Sequence, residues 1–195
     1  MDVQIRFAQP EDAEKLLAIY AHYVEHTAIS FEHAPPSLAE FQRRMETIQS
    51  FYPYLVAEVD DQLLGYCYAG PFRSAASYAW SVESTIYLNP NWQGKGLGNL
   101  LYDRLEEELQ AMGILSIKAC IGVGVEGDPY SSKSSELFHS KRGYQQVAHF
   151  PQAGYKFQRW YDMIWMEKSL GEFDSPPAAP QSILKVKRDV NEEVS

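Results

Sequence analysis

The chain has 195 residues, a formal net charge of −9 at neutral pH, 45% hydrophobic residues and two cysteines. That length fits one domain with a real core, and the acidic balance excludes the basic stripe of a nucleic-acid-binding surface. Stretches of about 18 apolar residues are absent and Met1 to Gln4 carry no basic region followed by an apolar core, so neither a membrane span nor a signal segment is expected. Cys67 and Cys120 each lie in an apolar strand-like run, which suits buried free thiols in a reducing compartment. A soluble cytoplasmic protein with no metal, nucleic-acid or membrane partner is the expectation.

Val3, Ile5 and Phe7 alternate with polar residues as a half-buried strand, and Pro10-Glu11-Asp12 then opens a helix with Ala13, Leu16, Leu17, Tyr20, Tyr23 and Val24 on its inner face. Residues 27–36 break the period and read as a loop carrying Phe31. Ser37-Leu38-Ala39-Glu40 is a capping box for a second helix with Leu38, Phe41, Met45 and Ile48 inward. Strands over 54–59 and 63–69 flank the tight turn Asp60-Asp61-Gln62, and a further strand carries Glu83. The amphipathic run 97–112 ends near Gly113 and leads into a strand over 116–121, so a helix joins two strands and they run parallel. A short helix over 131–142 closes at Gly143, and strands around 145–150 and 155–167 form a terminal hairpin. The fold class is α/β, a mixed, mostly antiparallel twisted sheet of about seven strands with helices on both faces. Residues 1–169 form the domain; residues 170–195, with Pro176, Pro177 and Pro180 and little periodicity, read as a disordered tail.

Residues 80–99, WSVESTIYLNPNWQGKGLGN, run from a strand through a glycine-rich turn into a helix N-terminus. Backbone N–H groups unsatisfied within the helix, together with its dipole, make such a terminus an anion site, and glycines let a phosphate approach. A P-loop needs Ser or Thr after Gly-Lys, whereas Gly94-Lys95 is followed by Gly96; the dinucleotide spacing Gly-x-Gly-x-x-Gly also fails. What stands is Gln93-x-x-Gly96-x-Gly98, which resembles the acetyl-CoA pyrophosphate loop of the GNAT N-acetyltransferase superfamily. The segments 53–58, 68–71 and 82–85, then Gly143-Tyr144 and Gly154-Tyr155-Lys156 with Trp160 and Asp162, follow in the order of its phosphinothricin N-acetyltransferase group. The resemblance covers roughly residues 3–168.

That resemblance implies an acetyl-CoA-dependent N-acetyltransferase, a homodimer, acting on a small amino acid or analogue of the phosphinothricin, methionine sulfone or methionine sulfoximine type. An ammonium cannot attack a thioester until it loses a proton, so a base must stand near the acceptor. Glu83, a carboxylate in an otherwise apolar or neutral strand, matches the group's catalytic glutamate; the residues alone equally allow a solvated or Arg-paired Glu. His139 matches a histidine implicated in proton transfer, with helix packing as the alternative. Tyr102 or Tyr144 can protonate the departing thiolate, and the choice stays open. By the same resemblance the donor lies along Ile86, Tyr87 and Leu88, with Gln93, Gly94, Lys95, Gly96, Leu97, Gly98 and Asn99 around its pyrophosphate. Lys95 is equally a solvated lysine. Ser132 stands where the group has an Asn near the cofactor. Phe31, Arg73 and Tyr78 align with the acceptor pocket, where a second basic position is Ala75; Arg73 alone can grip a carboxylate or phosphinate, or sit as an exposed strand-end charge. Tyr155, Lys156, Phe157 and Trp160 match a C-terminal signature as pocket wall, hairpin packing or dimer contact. Neither cysteine has a basic neighbour in sequence, so direct transfer in a ternary complex is expected over a cysteine intermediate. A protein or peptide N-acetyltransferase and a non-catalytic acyl-CoA-binding module are the alternatives.

Overall fold

The computed structural model describes residues 3–174 and 176–187. Seven strands form one sheet in the order β1-β2-β3-β4-β5-β7-β6: β1 Gln4–Phe7, β2 Tyr54–Val59, β3 Gln62–Pro71, β4 Ser81–Leu88, β5 Ser116–Val123, β6 Gln145–Lys156 and β7 Arg159–Ser169. Every neighbouring pair is antiparallel except β4 and β5, which the helix α3 (Leu97–Ala111) connects as a crossover. The β2–β3 hairpin turns at Asp60 and Asp61, both with positive φ (49° and 61°), a conformation short Asp side chains accept more readily than most.

Alternation along the strands divides the core in two. Leu55, Ala57, Cys67, Val82 and Ile117 point to one face and are covered by Leu101, Leu105 and Leu109 of α3. Tyr54, Val56 and Tyr66 point to the other, under α1 (Ala13–His26) and α2 (Leu38–Gln49), where Tyr20, Tyr23, Phe41 and Met45 meet them. Ser37 caps α2 by accepting from the Glu40 N–H at 3.2 Å. Leu38, expected inward, is exposed, since the helix starts there and its first residue overhangs the core. Helix α4 (Ser134–Lys141) lies beside the N-terminus of α3.

Three further expectations change. The terminal hairpin turns at Phe157 and Gln158 (φ 50° and 59°), not at residues 151–154. Pro151 and Gly154, which look like turn residues, sit in an irregularity inside β6, where the Gln152 N–H donates to Asp162 Oδ1 at 2.8 Å and no reversal is needed. Cys67 is buried but Cys120 is exposed, because α1 and α2 cover β2 to β4 and leave that face of β5 open. The tail is ordered over its described part. Trp80 Nε1 donates to the Ala178 carbonyl (2.7 Å), the Gln181 N–H to Met112 (2.8 Å) and the Ile183 N–H to Phe51 (2.9 Å), and Ile183 is buried in the core beneath α3. Polar spacing hid this from a periodicity reading, since Ile183 and Val186 are the inserted residues; residues 175 and 188–195 of that expectation lie outside the described residues.

Candidate active site

The pairing of β4 with β5 stops at Ser84 and Ala119, while β4 stays joined to β3 as far as Leu88 and β5 to β7 as far as Val123. The two parallel strands therefore part, and residues 85–88 of β4 have no strand partner on the β5 side. Asn89 caps the Asn91 N–H at 3.0 Å, and the chain passes Gly94 and Gly96 (φ 72° and 85°) into α3. Neither glycine has an atom within 4 Å of an added Cβ, so the left-handed backbone, not crowding, requires them. Gly98 differs: a Cβ there would lie 3.0 Å from the Phe138 ring, so it allows α4 to close on α3. The first turn of α3 has no side-chain cap and no acidic residue, which leaves the Leu97 and Gly98 N–H groups open to an anion while Asn99 and Leu100 donate to the Gly96 carbonyl.

Other expected donor contacts are engaged elsewhere. Gln93 Nε2 donates to the Tyr23 hydroxyl (2.8 Å), which donates to the Leu88 carbonyl. Lys95 Nζ rests 4.3 Å from the centre of the Trp92 ring, and the Asn99 side chain accepts from Arg142 at 3.3 Å. The Ser132 hydroxyl meets Ser134 Oγ at 2.7 Å at the start of α4.

Val82 and Ser84 face α3, so Glu83 points to the opposite side, with Thr85 and Tyr87. Its carboxylate has no hydrogen bond or ion pair among the described residues. Burial pushes its pKa up, and the Arg73 charge opposes this in part. His139 lies on the other face of the sheet, so the two expected catalytic residues are not neighbours. The imidazole is buried; Nδ1 meets the Ser135 carbonyl (2.7 Å) and Nε2 the Tyr102 hydroxyl (3.0 Å). Desolvation holds its pKa below the usual value, and the Ser135 carbonyl, which can only accept, takes the Nδ1–H, while the Tyr102 hydroxyl donates to Ser84 Oγ. The Tyr102 oxygen is 3.1 Å from Ser84 Oγ, which donates to the Lys118 carbonyl at 3.1 Å. A buried line of polar groups thus runs from His139 to the point where β4 and β5 part. Tyr144 stands off that line, directed at Glu106 Oε1 at 3.4 Å.

Arg73 and Tyr78 both lean on Phe72, which sequence reasoning overlooked. The guanidinium lies 4.4 Å from the Phe72 ring centre, and the Tyr78 and Trp165 rings meet Phe72 edge-on at 6.0 and 5.5 Å. Lys118, the β5 partner of Glu83, is neutralised by Glu167 at 3.0 Å. Phe31 sits further along, on Gly122 of β5 and Gly154 of β6, where an added Cβ would come within 3.1 and 2.5 Å of its ring. Buried Lys156 fixes that loop: Nζ donates to the Thr27 and Ser30 carbonyls at 2.9 and 2.6 Å. A single lysine in a hairpin gives no sequence signal for a partner more than a hundred residues earlier. A cavity of about 460 Å³ opens beside Thr85 and Tyr87 under α2.

A family model described as an acetyltransferase (GNAT) domain matches residues 5–165. A phosphinothricin N-acetyltransferase of Streptomyces viridochromogenes is 33% identical over 94% of this chain and 96% of its own length. An L-methionine sulfoximine/L-methionine sulfone acetyltransferase of Salmonella typhimurium is 35% identical, covering 89% and 98%. The solved structure of a GNAT phosphinothricin acetyltransferase of Sinorhizobium meliloti in complex with AcCoA superposes with a TM-score of 0.83 at 32% identity, over 91% of this chain and 94% of that one. With the parted strands, the open helix N-terminus and a match over nearly the whole domain in agreement, the chain belongs to the GNAT acetyltransferase family.

Proposed function

We propose that this acetyltransferase moves the acetyl group of acetyl-CoA to the amine of a small amino acid or analogue, with donor and acceptor bound together. The observation that carries the reading is Glu83: an unpaired, desolvated carboxylate next to the point where β4 leaves β5, with Arg73 close enough for its charge to be felt. The residues fit the donor. Residues 85–88 offer a strand edge without a partner, and Leu97 and Gly98 offer free N–H groups at a helix start. Acetyl-CoA supplies a thioester carbonyl; this chain supplies the base and the positioning. Glu83 takes a proton from the acceptor ammonium, the freed nitrogen bonds to the acetyl carbon, and the C–S bond breaks with its electron pair on sulfur, the thiolate taking up the second proton that the nitrogen sheds. The Ser84–Tyr102–His139 line fixes the Ser84 hydroxyl, whose proton the Lys118 carbonyl takes, at that end of β4, which makes His139 a positioning group acting through Tyr102 and Ser84 rather than a second base beside Glu83. Arg73 and Tyr78, held on Phe72, and Phe31, held by Lys156, border the acceptor.

A cysteine intermediate has no support: burial pushes the Cys67 thiol up strongly and, with the Glu83 charge, raises Cys120 to about 12. The protein acts as a homodimer, a reading supported by Val147, Phe150, Tyr155 and Trp160, all exposed on the terminal hairpin. A cytoplasmic location is the reading that its free thiols support. The test is free-thiol release from acetyl-CoA across amino acids, their analogues, polyamines and short peptides. Release with small amino acids supports the reading; release with peptides alone sinks it.

A further inference from the structure

The cavity under α2 has no part in the scheme so far. Its floor is Tyr66 and Tyr68 of β3 with Thr85 and Tyr87 of β4, and its roof is Phe41 and Met45 of α2. Its floor continues along β4 from Glu83, which is not itself a lining residue. Thr85 and Tyr87 follow Glu83 on one face of β4, and Tyr68 pairs with Thr85. The residue paired with Glu83 is Gly70, which leaves the space above that register to Ile48 of the cavity lining, whose Cδ1 would lie 3.1 Å from an added Cβ there. The Glu83 charge is felt at the Tyr68 hydroxyl.

Its inner lining is aromatic and apolar, with phenol and threonine hydroxyls and no charge. At the mouth, Arg44 is engaged by Glu40 (2.9 Å) and Glu32 (2.7 Å), and Arg43 pairs with Glu40, so two guanidiniums and two carboxylates balance. The Tyr54, Tyr66 and Tyr68 rings lie within 17° of parallel, a stack of flat faces beside the space. Arg73, whose charge acts on Glu83, has no carboxylate partner among the described residues, and Ala75 brings no second cation.

We propose that an α-amino acid is read at three points: its amine at Glu83, its carboxylate at Arg73 and its side chain in the tyrosine-walled cavity, which selects a neutral, preferably ring-bearing side chain over an anionic one. This rests on the acetyl-transfer reading above. An anionic side chain entering the cavity loses water and finds no unengaged cation, whereas an aromatic ring stacks and meets phenol hydroxyls. Arg73, committed to the α-carboxylate, is unavailable for a second negative group. A volume of about 460 Å³ lies within the range of small-molecule pockets and exceeds what glycine or alanine needs.

The experiment compares kcat/KM for thiol release with glycine, methionine sulfone, phenylalanine, phenylalaninamide and phosphinothricin. The expected order puts phenylalanine and methionine sulfone at least tenfold above phosphinothricin. Met45→Trp, which narrows the cavity from its roof, should lower the phenylalanine-to-glycine ratio at least tenfold, and Arg73→Gln should abolish the preference for phenylalanine over its amide. Thr85→Leu narrows the same space from the floor and gives the same readout if Met45→Trp does not fold. Turnover that favours phosphinothricin, or a phenylalanine-to-glycine ratio that neither narrowing variant moves while acetyl-CoA binding persists, overturns the cavity assignment and leaves acetyl transfer standing. Absence of thiol release with every amino acid overturns both.

Discussion

Lys156→Met tests whether the acceptor side is held together by one buried ammonium. Lys156 is 3% exposed and donates to two carbonyls of the loop that carries Phe31. A hydrogen bond from a charged donor contributes about 1.5–3 kcal/mol, so two give roughly 3–6 kcal/mol. The substitution also removes a desolvated cation, whose burial already pulls the Lys156 pKa down, and this offsets part of the loss. A net cost of about 2 kcal/mol remains, which for a chain of this size lowers Tm by roughly 4–8 °C. Released from the Thr27 and Ser30 anchors, Phe31 no longer rests in the notch left by Gly122 and Gly154. Losing about 1.4 kcal/mol of acceptor binding raises the acceptor KM about tenfold, while the acetyl-CoA KM stays put because the donor contacts proposed above lie on β4 and α3. Thermal unfolding and steady-state kinetics with each substrate varied in turn read both effects. An unchanged Tm with an unchanged acceptor KM would refute the reasoning.

Two further outcomes follow from the packing. Ile183→Ala should cost about 2–4 kcal/mol, because the residue is buried beneath α3, and should redden Trp80 emission as the Ala178 bond loosens; a Tm within 1 °C of the parent would mean that the tail does not dock. Cys120 is exposed yet its thiol is raised to about 12, first by desolvation and then by the Glu83 charge. Alkylation by iodoacetamide at pH 8 should therefore run more than about tenfold slower than for a free thiol, and Glu83→Gln should speed it; a variant rate equal to the parent's would separate Cys120 from Glu83.

The order of elements and the strand–turn–helix of residues 80–99 were legible because their signals are local. Gly94, Gly96 and Gly98 after an apolar strand announce a strand–turn–helix, and the helix between two strands announces the crossover. What stayed hidden depends on faces and distance. Glu83 and Ser84 are adjacent in sequence but point to opposite sides, so His139, tied to Ser84 through Tyr102, falls on the far side from Glu83. Cys120 has apolar neighbours like Cys67, and only the reach of α1 and α2 decides which is covered. The tail carries a single fully inserted Ile183 among prolines and polar residues, too sparse for a period. Phe72 and Lys156 act through partners distant in sequence or through ring contacts, which no spacing rule records.

The central claim is that Glu83 is the base. Because its folded pKa is raised, the carboxylate form needed for catalysis appears only above the ordinary glutamate range, and the acid limb of kcat/KM should be displaced upward accordingly. By the same sign, the ionised group weakens the fold above its unfolded pKa, so Glu83→Gln should unfold at an equal or higher temperature at neutral pH. The measurement is the pH profile of thiol release for the parent and for Glu83→Gln. The account predicts a variant slower by about 10²–10⁴ in kcat, without the displaced limb and with acetyl-CoA affinity unchanged. A Glu83→Gln protein that keeps full activity at neutral pH would contradict it.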